Sequence, residues 1–138
     1  MSAFVLDASV AIAWCFEDES TPASRALLAS LPAGSAVVPP LWHCEVANAL
    51  LTAERRGRID PPSTAHFLQL LERLPIHTDP ESTGHAFGAA QHMARTHALT
   101  AYDAAYLELA HRLSLPLATR DEALAQAARA AGIRLLPA

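Results

Sequence analysis

Short runs rich in Val, Ile and Leu alternate along this chain with longer stretches in which apolar residues recur at helical spacing. The short runs predict strands at Ala3 to Leu6, Ala36 to Val38, Pro75 to Thr78, Leu115 to Ala118 and Ile133 to Leu136. Between them, helices are predicted over Val10 to Glu17, Pro22 to Leu31, Leu41 to Arg56, Tyr102 to Leu113 and Asp121 to Ala131. Asp60, with Pro61 and Pro62 in the first turn, opens a further helix, and Asp79-Pro80-Glu81 opens another. Gly57 and Gly132 fall where two helices must stop. Strands alternating with helices make the fold α/β: one domain over residues 1–138, with a central parallel sheet of about five short strands flanked by about seven helices.

Composition narrows the class. A chain of 138 residues with 51% hydrophobic and 17% charged side chains can bury a real core and is neither disordered nor fibrous. The apolar start is broken at once by Asp7 and lacks a basic leader, so a cytoplasmic protein is expected. Cys15 and Cys44 have no Cys-x-x-Cys spacing and read as small buried hydrophobes. All ten basic side chains are arginine, which excludes any mechanism resting on lysine. A net charge of -4 excludes a broad basic face, so nucleic acid phosphates would have to be met by bound metal and a few arginines.

Two acids fall at strand ends: Asp7 after the first strand and Asp121 after the fourth. In an open parallel sheet, residues at the carboxyl ends of neighbouring strands face one crevice. Glu45 and Asp103 lie within apolar helical surroundings, where a carboxylate is costly unless paired. Asp103 and Asp121 alone would read as helix caps. Asp7 and Glu45 have no such cheap role, and Glu45 shares a helix face with Asn48. Clustered carboxylates without a histidine or thiolate set offer hard oxygen ligands suited to Mg²⁺ or Mn²⁺.

Four segments now carry a resemblance: Leu6-Asp7-Ala8-Ser9-Val10-Ala11, Glu45-Val46-Ala47-Asn48, Tyr102-Asp103-Ala104-Ala105-Tyr106-Leu107-Glu108-Leu109-Ala110, and Ala118-Thr119-Arg120-Asp121-Glu122-Ala123-Leu124. In this order they resemble the PIN-domain family, and within it the VapC toxin ribonucleases of toxin-antitoxin pairs. The resemblance covers nearly the whole chain. It implies that Asp7, Glu45, Asp103 and Asp121 are the catalytic, metal-binding acids of an Mg²⁺- or Mn²⁺-dependent ribonuclease. It also implies that Ser9, Asn48 and Thr119 orient those carboxylates or metal-bound waters. The chain departs from some members in having Leu124 where a further acidic or amide residue can stand, which leaves one or two metals open. The expected partners are an RNA substrate and a cognate antitoxin that reaches the acidic site with an arginine. A homodimer is expected, forming a heterotetramer or larger assembly with that antitoxin.

Other features have bland readings beside sharp ones. Seven histidines are scattered without ligand spacing, and only His43, two residues from Glu45, stands near the acids. Trp14, Phe16 and Trp42 could stack bases, but apolar helical surroundings favour packing. Together with Leu27, Leu28, Leu50 and Leu51 they exceed what one short sheet covers, which also points to a dimer. Arg55, Arg56 and Arg58 read as a solvated helix end, the acidic run Glu17, Asp18, Glu19 as a solvated loop, and Arg120 as a possible RNA contact beside the site. A receiver domain or a haloacid-dehalogenase-type phosphatase also places an acid after its first strand. Both want a lysine, and the second wants Asp-x-Asp where Asp7-Ala8-Ser9 stands. A non-catalytic RNA- or protein-binding module of the same fold is the alternative from another class.

Overall fold

A computed structural model describes residues 2–138. Four strands, β1 (Ala3–Leu6), β2 (Ser35–Val38), β3 (Ile76–Thr78) and β4 (Leu117–Ala118), form one parallel sheet in the order β3-β2-β1-β4. Around it stand α1 (Ala8–Cys15), α2 (Pro22–Ser30), α3 (Leu41–Arg55), α4 (Pro61–Glu72), α5 (Gln91–His97), α6 (Ala101–Leu113) and α7 (Glu122–Ala130). The core is built on β1, where Val5 and Leu6 are fully buried and pack with Val10, Leu50, Leu107, Leu109 and Leu124. Each such side chain contributes about 1.5–3 kcal/mol by leaving water. No helix among the described residues is long and apolar enough to cross a membrane.

The fifth strand expected at Ile133 to Leu136 is reduced to one parallel bridge, Leu117 to Leu135. Leu117 donates to the Arg134 carbonyl and accepts from the Leu136 amide, each at 2.9 Å. The ladder ends there because only Leu117 of β4 faces that segment, while the Pro116 and Ala118 carbonyls turn to β1 and accept the Val5 and Asp7 amides. The helix expected from Asp79 is also displaced. That stretch forms a 3₁₀ turn, Ser82–His85, and a π-helical turn, Ala86–Ala90, before α5 begins. Asp79 does not cap a helix because its buried carboxylate pairs with Arg112 at 2.7 Å and accepts from Ser82 at 2.7 Å.

Other helix ends follow the local chemistry. Thr21 and Ser24 form a reciprocal capping box at α2, Asp60 accepts the Ser63 amide at 2.8 Å, and Gly57 and Gly132 take positive φ. The aromatic residues turn inward: Phe16, Leu27, Trp42 and Leu50 are buried, and Trp14 and Leu28 are partly covered. Of the apolar set expected at a dimer face only Leu51 is exposed, because α1 packs against both α2 and α3. The large exposed apolar side chains lie elsewhere too, at Leu70, Phe87, Tyr102 and Leu113. Cys44 is exposed and Cys15 only partly covered, so neither is a core residue.

Candidate active site

The chain lays β2 and β3 to one side of β1 and returns to place β4 on the other. The gap between β1 and β4 is thus the point where chain direction reverses, and an open sheet forms its crevice there. Asp7 leaves β1 at that point, and its amide donates to the Ala118 carbonyl at 3.0 Å. Its side chain is only 5% exposed. Ser9 Oγ and Thr119 Oγ1 both donate to Asp7 Oδ2, at 2.6 and 2.7 Å. Each hydroxyl is in turn held by a backbone amide: Arg120 N–H donates to Ser9 Oγ at 2.9 Å and Asp121 N–H to Thr119 Oγ1 at 3.0 Å. A hydroxyl that accepts an amide has its proton free to turn onto the carboxylate.

Neither strand-end acid caps its helix. Asp7 and Asp121 occupy the N-cap positions of α1 and α7 without a side-chain cap bond. The cap of α6 is Thr100, whose hydroxyl accepts the Asp103 amide at 3.1 Å, so the Asp103 carboxyl is also free of that duty.

Glu45 comes from α3 and is held from across the crevice. Tyr106 Oη donates to Glu45 Oε1 at 2.5 Å. This tyrosine is fully buried and lies one turn beyond Asp103 on α6. Sequence reasoning missed its role. The signal was its spacing: three residues from Asp103, it shares that acid's helix face.

Asp7, Glu45 and Asp103 are each held above the ordinary carboxylate range. Burial pushes the Asp7 carboxyl up, the Ser9 and Thr119 bonds oppose that, and the charge of Asp121 adds to it. Burial likewise raises Glu45, against the Tyr106 bond and with the charge of Asp7. Asp103 is pushed up to about 7 by burial, by a hydrogen bond with Asp121, and by the charges of Asp121, Asp7 and Glu45. The arrangement is coupled but not a finished cage: among the described residues no three His, Cys, Asp or Glu side chains already stand as a ligand set. As donors, four carboxylates without imidazole or thiolate fit a hard divalent cation.

The remaining candidates divide. Ser9 and Thr119 touch Asp7, whereas Asn48, one turn from Glu45, is exposed and makes no hydrogen bond to a carboxylate among the described residues. Arg120 reaches the site through its backbone, and its guanidinium donates to the Glu19 carbonyl. His43 is exposed, with its ring edge-on to Trp42 at 5.0 Å.

An acidic crevice at the switch point of a parallel sheet ordered 3-2-1-4 defines the class, and a family model sets the chain within it. Residues 4–130 match the model of the PIN domain, and the chain belongs to that family. It is 33% identical over 127 residues to "Ribonuclease VapC3" of Pyrobaculum aerophilum, an alignment covering 88% of this chain and 92% of that protein. Among solved structures, PAE2754 from Pyrobaculum aerophilum superposes with a TM-score of 0.68 at 22% identity, covering 91% of this chain and 84% of that one. FitAcB from Neisseria gonorrhoeae gives a TM-score of 0.65 at 18% identity, with 96% of each chain covered. These structural likenesses establish the fold.

Proposed function

We propose that this chain is a Mg²⁺- or Mn²⁺-dependent endoribonuclease acting as the toxin of a toxin-antitoxin pair. The observation that carries the reading is the placement at the β1/β4 crevice of a buried Asp7 held by Ser9 and Thr119, with Asp121 following β4 and Glu45 held by Tyr106 of the helix that carries Asp103. Likeness to a protein named as a VapC ribonuclease supports the substrate class.

Asp7, Glu45, Asp103 and Asp121 would hold the divalent ion. When bound, it supplies positive charge to the scissile phosphate and activates a water for hydrolysis of the phosphodiester. Ser9 and Thr119 fix the rotamer of Asp7, and Tyr106 fixes Glu45, so two of the ligands are oriented in advance. Asp103 keeps a proton toward Asp121 near neutral pH and gives it up as the set takes on positive charge. Arg120, beside Thr119, would meet an RNA phosphate.

A homodimer bound to a cognate antitoxin, as a heterotetramer or larger assembly in the cytoplasm, is the proposed resting form. FitAcB is a structural neighbour, and the exposed Phe87 and Tyr102 give such contacts apolar anchors. The decisive experiment is cleavage of RNA by purified protein with Mg²⁺, with Mn²⁺ and with excess chelator. Cleavage confined to the metal samples is expected. Unchanged cleavage in chelator overturns the metal mechanism, and no cleavage under any condition leaves the binding-module alternative standing.

A further inference from the structure

Arg58 stands far from the acids in sequence, and it is wired to them through the loop that follows α1. At the end of α3, Gly57 takes φ of 72° and the Arg58 amide reaches back to the Ala53 carbonyl at 2.9 Å. This closure fixes the backbone from which the Arg58 side chain departs. Its guanidinium then meets the α1–α2 loop in three ways. It pairs with Asp18 at 3.1 Å, pairs with Glu19 at 3.0 Å, and lies over the Phe16 ring at 4.2 Å from the centroid. A lone exposed ion pair would hold little, but a planar guanidinium engaged at both edges and on its face is a rigid fixture.

The loop it fixes is a tight turn, in which the Glu19 and Ser20 amides both bond the Phe16 carbonyl. From this turn the Glu19 carbonyl receives the Arg120 guanidinium. Arg120 in turn gives its amide to Ser9, whose hydroxyl donates to Asp7. Contacts therefore run without a gap from Arg58 to a candidate metal-binding carboxylate.

We propose that Arg58 is a positioning residue for RNA binding: by clamping the Phe16–Ser20 turn it sets where the Glu19 carbonyl holds the Arg120 guanidinium, on the residue between Thr119 and Asp121. This role rests on the ribonuclease reading given above. It also accounts for the acidic run Glu17, Asp18, Glu19, two of whose carboxylates are the jaws of the clamp.

The test compares Arg58→Ala, Arg120→Ala and the double variant, with Arg55→Ala as a control for loss of one charge at the same helix end. Each single variant at 58 or 120 is expected to raise KM for an RNA oligonucleotide about fivefold, the scale of one charged contact, with kcat within about twofold. The double variant is expected to be no worse than Arg120→Ala, because both act through one contact. Arg58→Lys, which keeps the charge but not the flat stacking face, is expected to fall between. Amide hydrogen exchange should quicken in Arg58→Ala both at residues 17–20 and at residues 119–121. Multiplying KM effects in the double variant, or unchanged exchange at residues 119–121, overturns the proposal. If wild-type protein shows no metal-dependent cleavage, the nuclease reading fails by itself and exchange alone decides the clamp. Should Arg58→Ala not fold, Asp18→Asn with Glu19→Gln opens the clamp from the other side with the same expected outcomes.

Discussion

Tyr106 Oη lies 2.5 Å from Glu45 Oε1, and this one bond ties α6 to α3 across the acidic crevice. The phenol is buried among carboxylates that hold its proton on oxygen, since burial, the Glu45 bond and the charges of Asp7 and Glu45 all raise its pKa. It therefore acts as a fixed donor. Tyr106→Phe keeps the ring in place and removes only that donor. Partners of this kind are worth about 10–100-fold in metal affinity or activity. A loss of that size in RNA cleavage, with a higher Mg²⁺ concentration for half-maximal rate, is the expected outcome. Wild-type kinetics in Tyr106→Phe would show that Glu45 needs no outside orientation.

Asp7→Asn retains size and hydrogen-bonding capacity but removes the charge that would hold a cation. Cleavage should drop by at least about a hundredfold, the upper end of what even outer partners cost. Glu45→Gln, Asp103→Asn and Asp121→Asn should behave alike. Because each substitution also relieves repulsion among crowded anions, the melting temperature of the metal-free variants should hold or rise. Full activity in Asp7→Asn refutes its assignment as a ligand.

Asp103 makes the metal-free protein sensitive to pH in a defined direction. Its carboxyl titrates at about 7 in the folded chain against an ordinary value of 3.8. Between those values the folded state holds a proton that the unfolded chain has already released. Stability from this group is thus full below 3.8 and falls as pH rises toward about 7. Thermal melts in chelator should show a melting temperature that declines from about pH 4 to about pH 7 and levels off above it. Asp103→Asn should flatten that decline, and an unaltered slope would assign it to other groups.

Arg112 anchors the opposite end of α6 and is only 18% exposed. It bonds Glu108 at 2.8 Å and Asp79 at 2.7 Å, two carboxylates that are themselves buried. Burial alone would raise the Asp79 carboxyl, yet its bonds from Arg112 and Ser82 bring it below its ordinary value. Arg112→Met would leave both acids without their cation. Breaking a buried pair in this way costs about 3–5 kcal/mol. For a domain of this size that is a fall in melting temperature of about 10 °C. Calorimetry checks it, and a fall under about 3 °C would mean that solvent reaches the pair freely.

The sheet and helices were legible because burial on both faces leaves β-branched runs, and because proline, hydroxyl and glycine mark helix ends locally. Asp7 stood out as an acid set between a buried strand and an apolar helix. Less legible was everything decided by tertiary partners. Asp79 has the sequence of a helix cap, and only the fold brings Arg112 to it from 33 positions away. The strand at Ile133 to Leu136 has good composition, but its neighbour β4 is two residues long and offers it a single rung. Tyr106 was hidden by its type, since a buried tyrosine in an apolar helix looks like core until its hydroxyl is seen to meet Glu45. Asn48 shares a helix face with Glu45 and is exposed, so no bond within the fold marks it.

The bond from Thr119 to Asp7 spans 112 positions of the chain. A ribosome making this protein releases Asp7 long before Thr119 and Asp121 emerge. During that interval Asp7 lacks one of its two hydroxyl partners and the fourth acid does not yet exist. Until residue 121 has been made, the chain therefore cannot assemble the four-acid crevice on which the proposed cleavage depends.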